Sequence, residues 1–151
     1  MSIDQIKSQM EELKAEIAEA KAKAMDKGKV LFSDACKAVF DEHPILVAFR
    51  WSQYTPYFND GDTCEFDVNE LEFRFTETPS EEHAYTYNDG EEDSFYCMSY
   101  NCPDGPIKAA AEAVKEFHKL IDTETYEELF GDHVEVTVTR DGVETSEYDH
   151  D

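Results

Sequence analysis

Apolar residues near the N-terminus recur at alternating intervals of three and four positions. The series is Ile3, Ile6, Met10, Leu13, Ile17, Ala20 and Ala24. This is the a/d pattern of a heptad repeat, and most residues between these positions are charged or are strong helix formers. Such a narrow stripe predicts a coiled-coil helix that joins copies of the chain into a homo-oligomer. The alternative is a single amphipathic helix packed on the chain's own core.

The apolar stripe widens beyond Gly28. Helical spacing continues over residues 29–42, but the apolar positions now form a broad face, which predicts packing against a core. Pro44 is expected to end this helix, because the residue before a proline disfavours the helical conformation. Gly28 is a candidate kink, since glycine weakens a helix. The pattern therefore divides the chain into an N-terminal coiled-coil segment, 1–28, and an acidic domain, 29–151.

After this helix the apolar period becomes two. Residues 45–54 predict a strand, and residues 63–75 alternate again. A one-residue slip at Asn69-Glu70 indicates a β-bulge or a short corner between two strands. The core face of the first strand is predicted to hold Val47, Phe49 and Trp51.

The second half of the chain predicts a helix between strands. Short strands are expected within 84–87 and 94–100, and a strong amphipathic helix over 107–121. A further helical turn ends at Gly131, and alternating valines before Asp141-Gly142 predict a hairpin followed by an acidic tail. The fold class is therefore α+β: a long N-terminal helix, a mainly antiparallel sheet with one amphipathic helix packed on it, and a C-terminal hairpin.

The charge is distributed unevenly along the chain. Asp and Glu number 36 against 13 Lys and Arg, a formal net charge of −23. Residues 1–29 hold six charges of each sign, so the whole excess lies in the remaining chain. Nucleic acid and anionic membranes repel such a domain, whereas a protein with a basic surface attracts it. We expect neither a nucleic-acid nor a membrane partner.

The compartment is indicated by what the chain lacks. No stretch has the length of apolar sequence that crosses a bilayer, and the N-terminus has no apolar signal-peptide core. The four cysteines have no CxxC spacing, which favours buried thiols in a reducing compartment. A zinc site built from Cys97, Cys102 and a histidine is the weaker alternative. The expectation is a soluble, intracellular chain.

The acidic turns are the candidate metal sites. Asp60, Asp62, Glu65 and Asp67 could offer oxygen ligands to Ca²⁺ or Mg²⁺, as could the turn at residues 88–93. Gly61, however, lies between the first two acids, where a hairpin turn places its glycine and an EF-hand loop does not. A hairpin corner with solvated carboxylates is the favoured interpretation, and no cofactor is expected.

An aromatic cluster surrounds the end of the first strand. Tyr and Trp are frequent in recognition surfaces, because they combine a large contact area with a polar tip. We expect Phe49 and Trp51 to face the core and Tyr54 and Tyr57 to lie at an edge open to a partner. Together with the neighbouring outward carboxylates, the candidate interaction residues are Trp51, Tyr54, Tyr57, Glu65, Asp67, Glu70 and Glu72.

The stretch FRWSQYTPYFNDGDTCEFDV, with DEHP and the Lys/Ala/Glu-rich helix before it, resembles a family of small acidic proteins of tailed bacteriophages with bacterial relatives. The resemblance centres on residues 43–68, and QYTPYFNDGD is its most distinctive part. It implies a phage-derived protein in the cytoplasm of a bacterial host, and it carries over no catalytic residue.

Three classes of function remain. The favoured one is a non-catalytic interaction protein whose acidic surface binds a host protein, such as a nucleic-acid-binding or defence protein, by imitating DNA. The second is a small metal-dependent enzyme or ligand-binding protein, although no GxSxG, HExxH or glycine-rich phosphate motif supports catalysis. The third is an assembly factor that acts through its coiled coil.

Overall fold

The computed structural model describes residues 2–58, 60–80, 84–86, 94–98 and 102–150. In chain order the elements are α1 (Ile3–Glu42), β1 (Leu46–Tyr54), β2 (Asp67–Val68), β3 (Glu72–Phe75), β4 (Ala84–Thr86), β5 (Tyr96–Met98), α2 (Pro106–Lys119), α3 (Thr123–Phe130), β6 (Val134–Thr139) and β7 (Gly142–Glu147). The α+β class predicted from the sequence is confirmed. No helix among the described residues is both long and apolar enough to cross a membrane.

The chain divides into two compact units, residues 1–32 and 33–151. The first consists of the N-terminal part of helix α1, whose start is fixed by a capping box. The Ser2 hydroxyl accepts a hydrogen bond from the Gln5 backbone N–H at 3.2 Å, and the Gln5 side chain accepts one from the Ser2 backbone N–H at 3.0 Å. The helix runs through Gly28 without a break and ends at Glu42, as Pro44 predicts.

The second unit is built around β1, which is the central strand. It pairs with β6 on one side and with β3 and then β2 on the other, always antiparallel. Within the described part of the chain the strand order is β4-β5-β3-β1-β6-β7, with β2 beside β1. The last two strands form the predicted C-terminal hairpin, in which Thr139 lies opposite Gly142.

The predicted register slip is present between β2 and β3. Arg50 lies opposite Glu72, and Gln53 lies opposite Val68. Two residues of β1 therefore face the three residues 69–71, which confirms the short corner expected at Asn69-Glu70.

A second irregularity lies at the start of β1 and corrects one prediction. The register shifts between Leu46 and Ala48. Leu46 is fully buried as a result, whereas Val47, predicted to face the core, is only half-buried. An irregularity of this kind moves neighbouring side chains to the other face, so simple alternation fails at Val47.

The core lies between one face of the sheet and the helices. The ring of Phe49 stacks on Phe40 of α1, with 5.7 Å between centroids, and meets the edge of Phe117 of α2 at 6.1 Å. The ring of Trp51 packs edge-on against Tyr126 and Phe130 of α3, at 5.3 and 5.7 Å. Both α2 and α3 therefore cover this face, where the sequence predicted one packed helix and a further turn.

Helix α3 is capped at both ends, and it ends where Gly131 predicts. The Asp122 carboxylate accepts a hydrogen bond from the Thr125 N–H at 2.8 Å, which caps the first turn. At the other end Gly131 adopts a φ of 93° and donates its N–H to the Glu127 carbonyl. Glycine meets this backbone conformation without the strain that a side chain would add.

The strands expected within 84–87 and 94–100 are present as β4 and β5. The second acidic turn, residues 88–93, lies outside the described residues.

Candidate functional site

The face of the sheet opposite the helices carries a groove. Side chains alternate along a strand, so Arg50, Ser52 and Tyr54 of β1 lie on the side opposite Phe49 and Trp51. A cavity of about 570 Å³ lies on this face. We call it the outer-face groove. Its lining residues are Arg50, Ser52, Tyr54, Asn69, Glu70, Glu72, Glu135 and Tyr148.

The cationic group of the groove is held by internal contacts. Arg50 Nε donates to Glu72 Oε2 at 2.9 Å, with both side chains largely buried. The guanidinium carbon lies 4.0 Å from the centre of the Phe95 ring, so the cation also packs on an aromatic face. Beside this pair, the Asn69 side-chain amide donates to the Ser52 hydroxyl at 2.9 Å. These contacts fix the floor of the groove.

The groove is acidic in composition. Three carboxylates, those of Glu70, Glu72 and Glu135, line it together with the single guanidinium of Arg50. One positive charge against three negative charges leaves a formal charge of −2. Carboxylate oxygens only accept hydrogen bonds when ionised, so the groove suits a ligand that carries donors and positive charge.

The C-terminal tail forms one wall of the groove, where the sequence predicted only an acidic extension. The Tyr148 N–H donates to the His133 carbonyl at 2.9 Å, and its ring stacks on Tyr54 with 5.7 Å between centroids. His150 stacks on Tyr54 at 3.7 Å and on Tyr57 at 4.4 Å. Tyr54 is therefore half-buried under the chain's own tail, while Tyr57 stays 67% exposed.

Two histidines join the tail to the residue that precedes β6. His133 Nδ1 and His150 Nε2 lie 2.7 Å apart, and their rings are stacked within 14° of parallel. One nitrogen must carry a proton and the other must offer its lone pair for this hydrogen bond to form. The pair closes the aromatic cluster formed by Tyr54, Tyr57 and Tyr148.

Asp132 anchors the end of β1 beside this cluster. Its carboxylate accepts hydrogen bonds from the Thr55 N–H and the Thr55 hydroxyl, both at 2.7 Å, and from the His133 N–H at 2.8 Å. Partial burial acts to raise the pKa of Asp132, but the hydrogen bonds from Thr55 and His133 outweigh it and lower that pKa. The carboxylate therefore stays ionised and holds the chain where it leaves the sheet.

We expect Asp132→Ala to destabilise the protein by about 1–2 kcal/mol, because it removes an acceptor shared by three donors. Urea unfolding monitored by circular dichroism measures the change. Asp149→Ala removes an exposed carboxylate from the tail and is the control, expected to stay within about 0.5 kcal/mol. Equal stability of the two variants would contradict an anchoring role for Asp132.

The structure separates the predicted interaction residues into three groups. Trp51 is fully buried between the sheet and the helices, so its inclusion among surface candidates was wrong. The strand period that places Phe49 in the core places Trp51 there as well. Glu72, in the ion pair with Arg50, and Tyr54, under the tail, are half-buried. The exposed candidates are Tyr57, Glu65, Asp67 and Glu70.

The predicted oligomerisation residues share one property: all of them are exposed in the single chain. The exposed fractions of the large side chains are 69% for Ile3, 42% for Ile6, 57% for Met10, 54% for Leu13 and 49% for Ile17. Ala20 and Ala24 complete the seam.

The alternative metal ligands do not form a site. Asp60, Asp62, Glu65 and Asp67 are all exposed around a turn in which Asp60 and Gly61 have positive φ values of 44° and 87°. In the part of the chain that the structure describes, no group of three or more His, Cys, Asp or Glu side chains could hold a metal ion. Two successive residues with positive φ are what a type I′ hairpin turn requires, which is consistent with the hairpin-corner prediction.

A polar cluster in the core was missed by the sequence analysis. Gln53 is fully buried, and its amide accepts from the Trp51 indole N–H at 2.9 Å while donating to the carbonyls of Tyr126 and Gly131 at 2.9 and 2.7 Å. Its signal was the strand period, since Gln53 follows Phe49 and Trp51 at intervals of two.

His118 and Tyr126 extend this cluster between α2 and α3. The Tyr126 hydroxyl hydrogen-bonds to His118 Nδ1, and the imidazole lies against the Trp51 ring. Burial lowers the pKa of His118 to about 4. Burial, and then the nearby Cys36, raise the pKa of Tyr126, so both side chains are neutral at pH 7.

These neutral groups and the carboxylates of the outer face give the molecule two distinct polar regions. The core cluster is closed, since no buried side-chain nitrogen or oxygen in the described residues is without a hydrogen-bond partner. The outer-face groove is open and acidic. Comparisons of this chain with protein-family models, with curated proteins and with solved structures found no match.

Proposed function

We propose that this is a non-catalytic interaction protein whose acidic unit binds a basic surface of another protein, with copies joined through the N-terminal helix. The observation that carries the proposal is the outer-face groove, in which three carboxylates accompany one guanidinium that is already held by internal contacts. A lysine or arginine side chain of the partner would donate hydrogen bonds to the carboxylate oxygens that line the groove.

The charge of the whole chain supports the same class of partner. The excess of 23 negative charges lies outside the first 29 residues, so it belongs almost entirely to the unit that carries the groove. Such a field attracts basic proteins over the distance that salt leaves unscreened. A basic groove that binds DNA is one surface of this kind, and spaced carboxylates can replace phosphates in it.

The tyrosines on the groove wall support contact with arginine in particular. Tyr54 and Tyr148 are stacked and line the cavity next to Glu135. A guanidinium can lie on an aromatic ring while it donates to a carboxylate, whereas a lysine ammonium makes only point contacts. In the bacterial cytoplasm that the phage resemblance implies, the partner would be a host nucleic-acid-binding or defence protein.

We expect Glu70→Gln with Glu135→Gln to weaken binding of a short arginine-rich peptide by about tenfold, because both substitutions remove charge from the groove. Fluorescence anisotropy of the labelled peptide measures the dissociation constant. The matched control is Glu127→Gln with Glu128→Gln, which removes the same charge from exposed positions of α3. Its expected loss is about twofold.

The proposal fails if the two double variants lose affinity equally, because binding would then follow bulk charge alone. Affinity capture from bacterial lysate at low and high salt then names the natural partner. A partner that is bound at the groove should be retained by the Glu127/Glu128 control and lost by the Glu70/Glu135 variant.

A further inference from the structure

The charges beside the apolar seam of α1 determine how a second copy can bind. We propose that two copies of the chain pair through residues 3–24 with their helices parallel. The inference rests on the self-association in the proposed function and adds to it the orientation of the copies. Its basis is an exposed helix face and the complementarity of the residues that flank it.

The flanking positions follow from the seam itself. With Ile3 at position a and Ile6 at position d, the e positions are occupied by lysine in all three heptads: Lys7, Lys14 and Lys21. The following g positions hold Gln9, Glu16 and Lys23. All six side chains are exposed, so they are accessible to a second helix. In coiled coils these positions set partner choice and orientation.

Antiparallel pairing would place lysine against lysine. In that orientation an e position of one helix faces an e position of the other. Because Lys7, Lys14 and Lys21 fill every e position of the seam, each such contact joins two ammonium groups whatever the register. Like charges at neighbouring positions are destabilising.

Parallel pairing replaces this repulsion with attraction. Each g position then faces the e position five residues further along the other helix. Glu16 of each copy meets Lys21 of the other, and Gln9 meets Lys14. By symmetry the Glu16–Lys21 contact forms twice. Lys23 lies 3.4 Å from Glu19 of its own helix, so its charge is already matched within the chain.

Parallel pairing also has a cost and a consequence. It brings the residues after the helix in both copies to the same end of the coiled coil, where their negative charges repel each other. Salt at about 0.15 M screens exposed charges beyond about 8 Å, which limits this repulsion. The consequence is that two acidic units are offered together, and a partner with two basic patches can bind both.

The test is Lys21→Glu in the full chain, with the dissociation constant of the dimer measured by sedimentation equilibrium at about 0.15 M salt. Parallel helices would then place the introduced glutamate opposite Glu16, and we expect dimerisation to weaken about tenfold. When antiparallel helices overlap along the seam, residue 21 faces Lys7 of the other copy or lies beyond its lysines, so the same substitution would tighten the dimer or leave it unchanged. Only the parallel orientation predicts a weaker dimer.

Two further variants complete the experiment. Glu16→Lys combined with Lys21→Glu restores the pair with its charges exchanged and should recover the parent affinity, which would assign the loss in the single variant to this contact. Lys29→Glu makes the same charge change beyond the seam and should alter the affinity by less than about twofold. A tighter Lys21→Glu dimer, or one that matches the Lys29→Glu control, overturns the parallel orientation.

Failure of the orientation and failure of the proposed function are distinguishable. A parent chain that remains monomeric would overturn both the parallel dimer and the self-association in the proposed function. Peptide binding at the outer-face groove is measured separately, because it depends on Glu70 and Glu135 of the other unit. A tight but antiparallel dimer would remove this inference alone.

Discussion

Gln53→Leu is expected to destabilise the protein by about 3–5 kcal/mol, although leucine is apolar and nearly the same size. The amide of Gln53 is the partner of three polar groups: the Trp51 indole N–H and the Tyr126 carbonyl, in buried contacts, and the Gly131 carbonyl, in a part-buried one. Leucine leaves all three without this partner. An unsatisfied buried group costs about 1–3 kcal/mol, so the losses exceed any gain from apolar burial.

Urea unfolding followed by the fluorescence of Trp51 measures this effect, since the only tryptophan lies in the affected cluster. Thr145→Leu is the matched control, because it places the same side chain at an exposed position of edge strand β7. Its expected effect is within about 0.5 kcal/mol. A Gln53→Leu variant as stable as this control would show that the amide network does not hold β1 to α3.

Acidification from pH 7 to pH 5 is expected to cost the protein about 2 kcal/mol of stability through His118 alone. Burial lowers the pKa of this imidazole from an ordinary value of 6.5 to about 4 in the folded state. Between these two values the unfolded chain binds a proton that the folded chain does not. Stability therefore falls as the pH falls from 6.5 towards 4 and changes no further below 4. Above pH 6.5 the contribution is fully present.

The double variant His118→Phe with Tyr126→Phe isolates the contribution of His118 to the pH dependence of stability. It removes both partners of one hydrogen bond and keeps two aromatic rings in place, so its stability at pH 7 should lie within about 1 kcal/mol of the parent. Between pH 7 and pH 5 it should lose about 2 kcal/mol less than the parent does. The measurement stops at pH 5, because the chain approaches zero net charge near its sequence pI of about 4.3.

The stability of the parent and that of the double variant are both measured against pH, because the 36 Asp and Glu side chains also respond to acid. Their protonation reduces the self-repulsion of the folded chain in the parent and the variant alike, so only the difference reports on His118. His43→Gln removes an imidazole at the end of α1 and controls for histidine number. Parallel pH curves for the parent and the double variant would contradict a neutral, buried His118.

The outer-face groove was only partly predictable. Of its carboxylates, the sequence pattern assigned Glu70 and Glu72 to outward positions, and Glu70 is exposed. The pairing of Arg50 with Glu72 was not visible, since it depends on β3 lying next to β1 across 22 residues of sequence. The folding of Tyr148 and His150 onto Tyr54 likewise joins segments that no local pattern relates.

The sequence by itself determined the elements and their limits. Pro44 ends α1, Gly131 ends α3, the valine alternation marks β6, and the slip at Asn69-Glu70 separates β2 from β3. Each of these signals is local, because steric limits on the backbone and the period of the side chains act over a few residues. The heptad pattern of α1 is also a local signal, because it is read from apolar residues three and four positions apart.

Only the tertiary structure decided which polar residues are inside. Gln53, His118 and Tyr126 form a closed cluster because β1, α2 and α3 meet at one place, and burial is tolerable there only when every donor and acceptor finds a partner. The same meeting of elements buried Trp51. Which strands flank β1 is also decided at this level, since it depends on contacts between residues far apart in the chain.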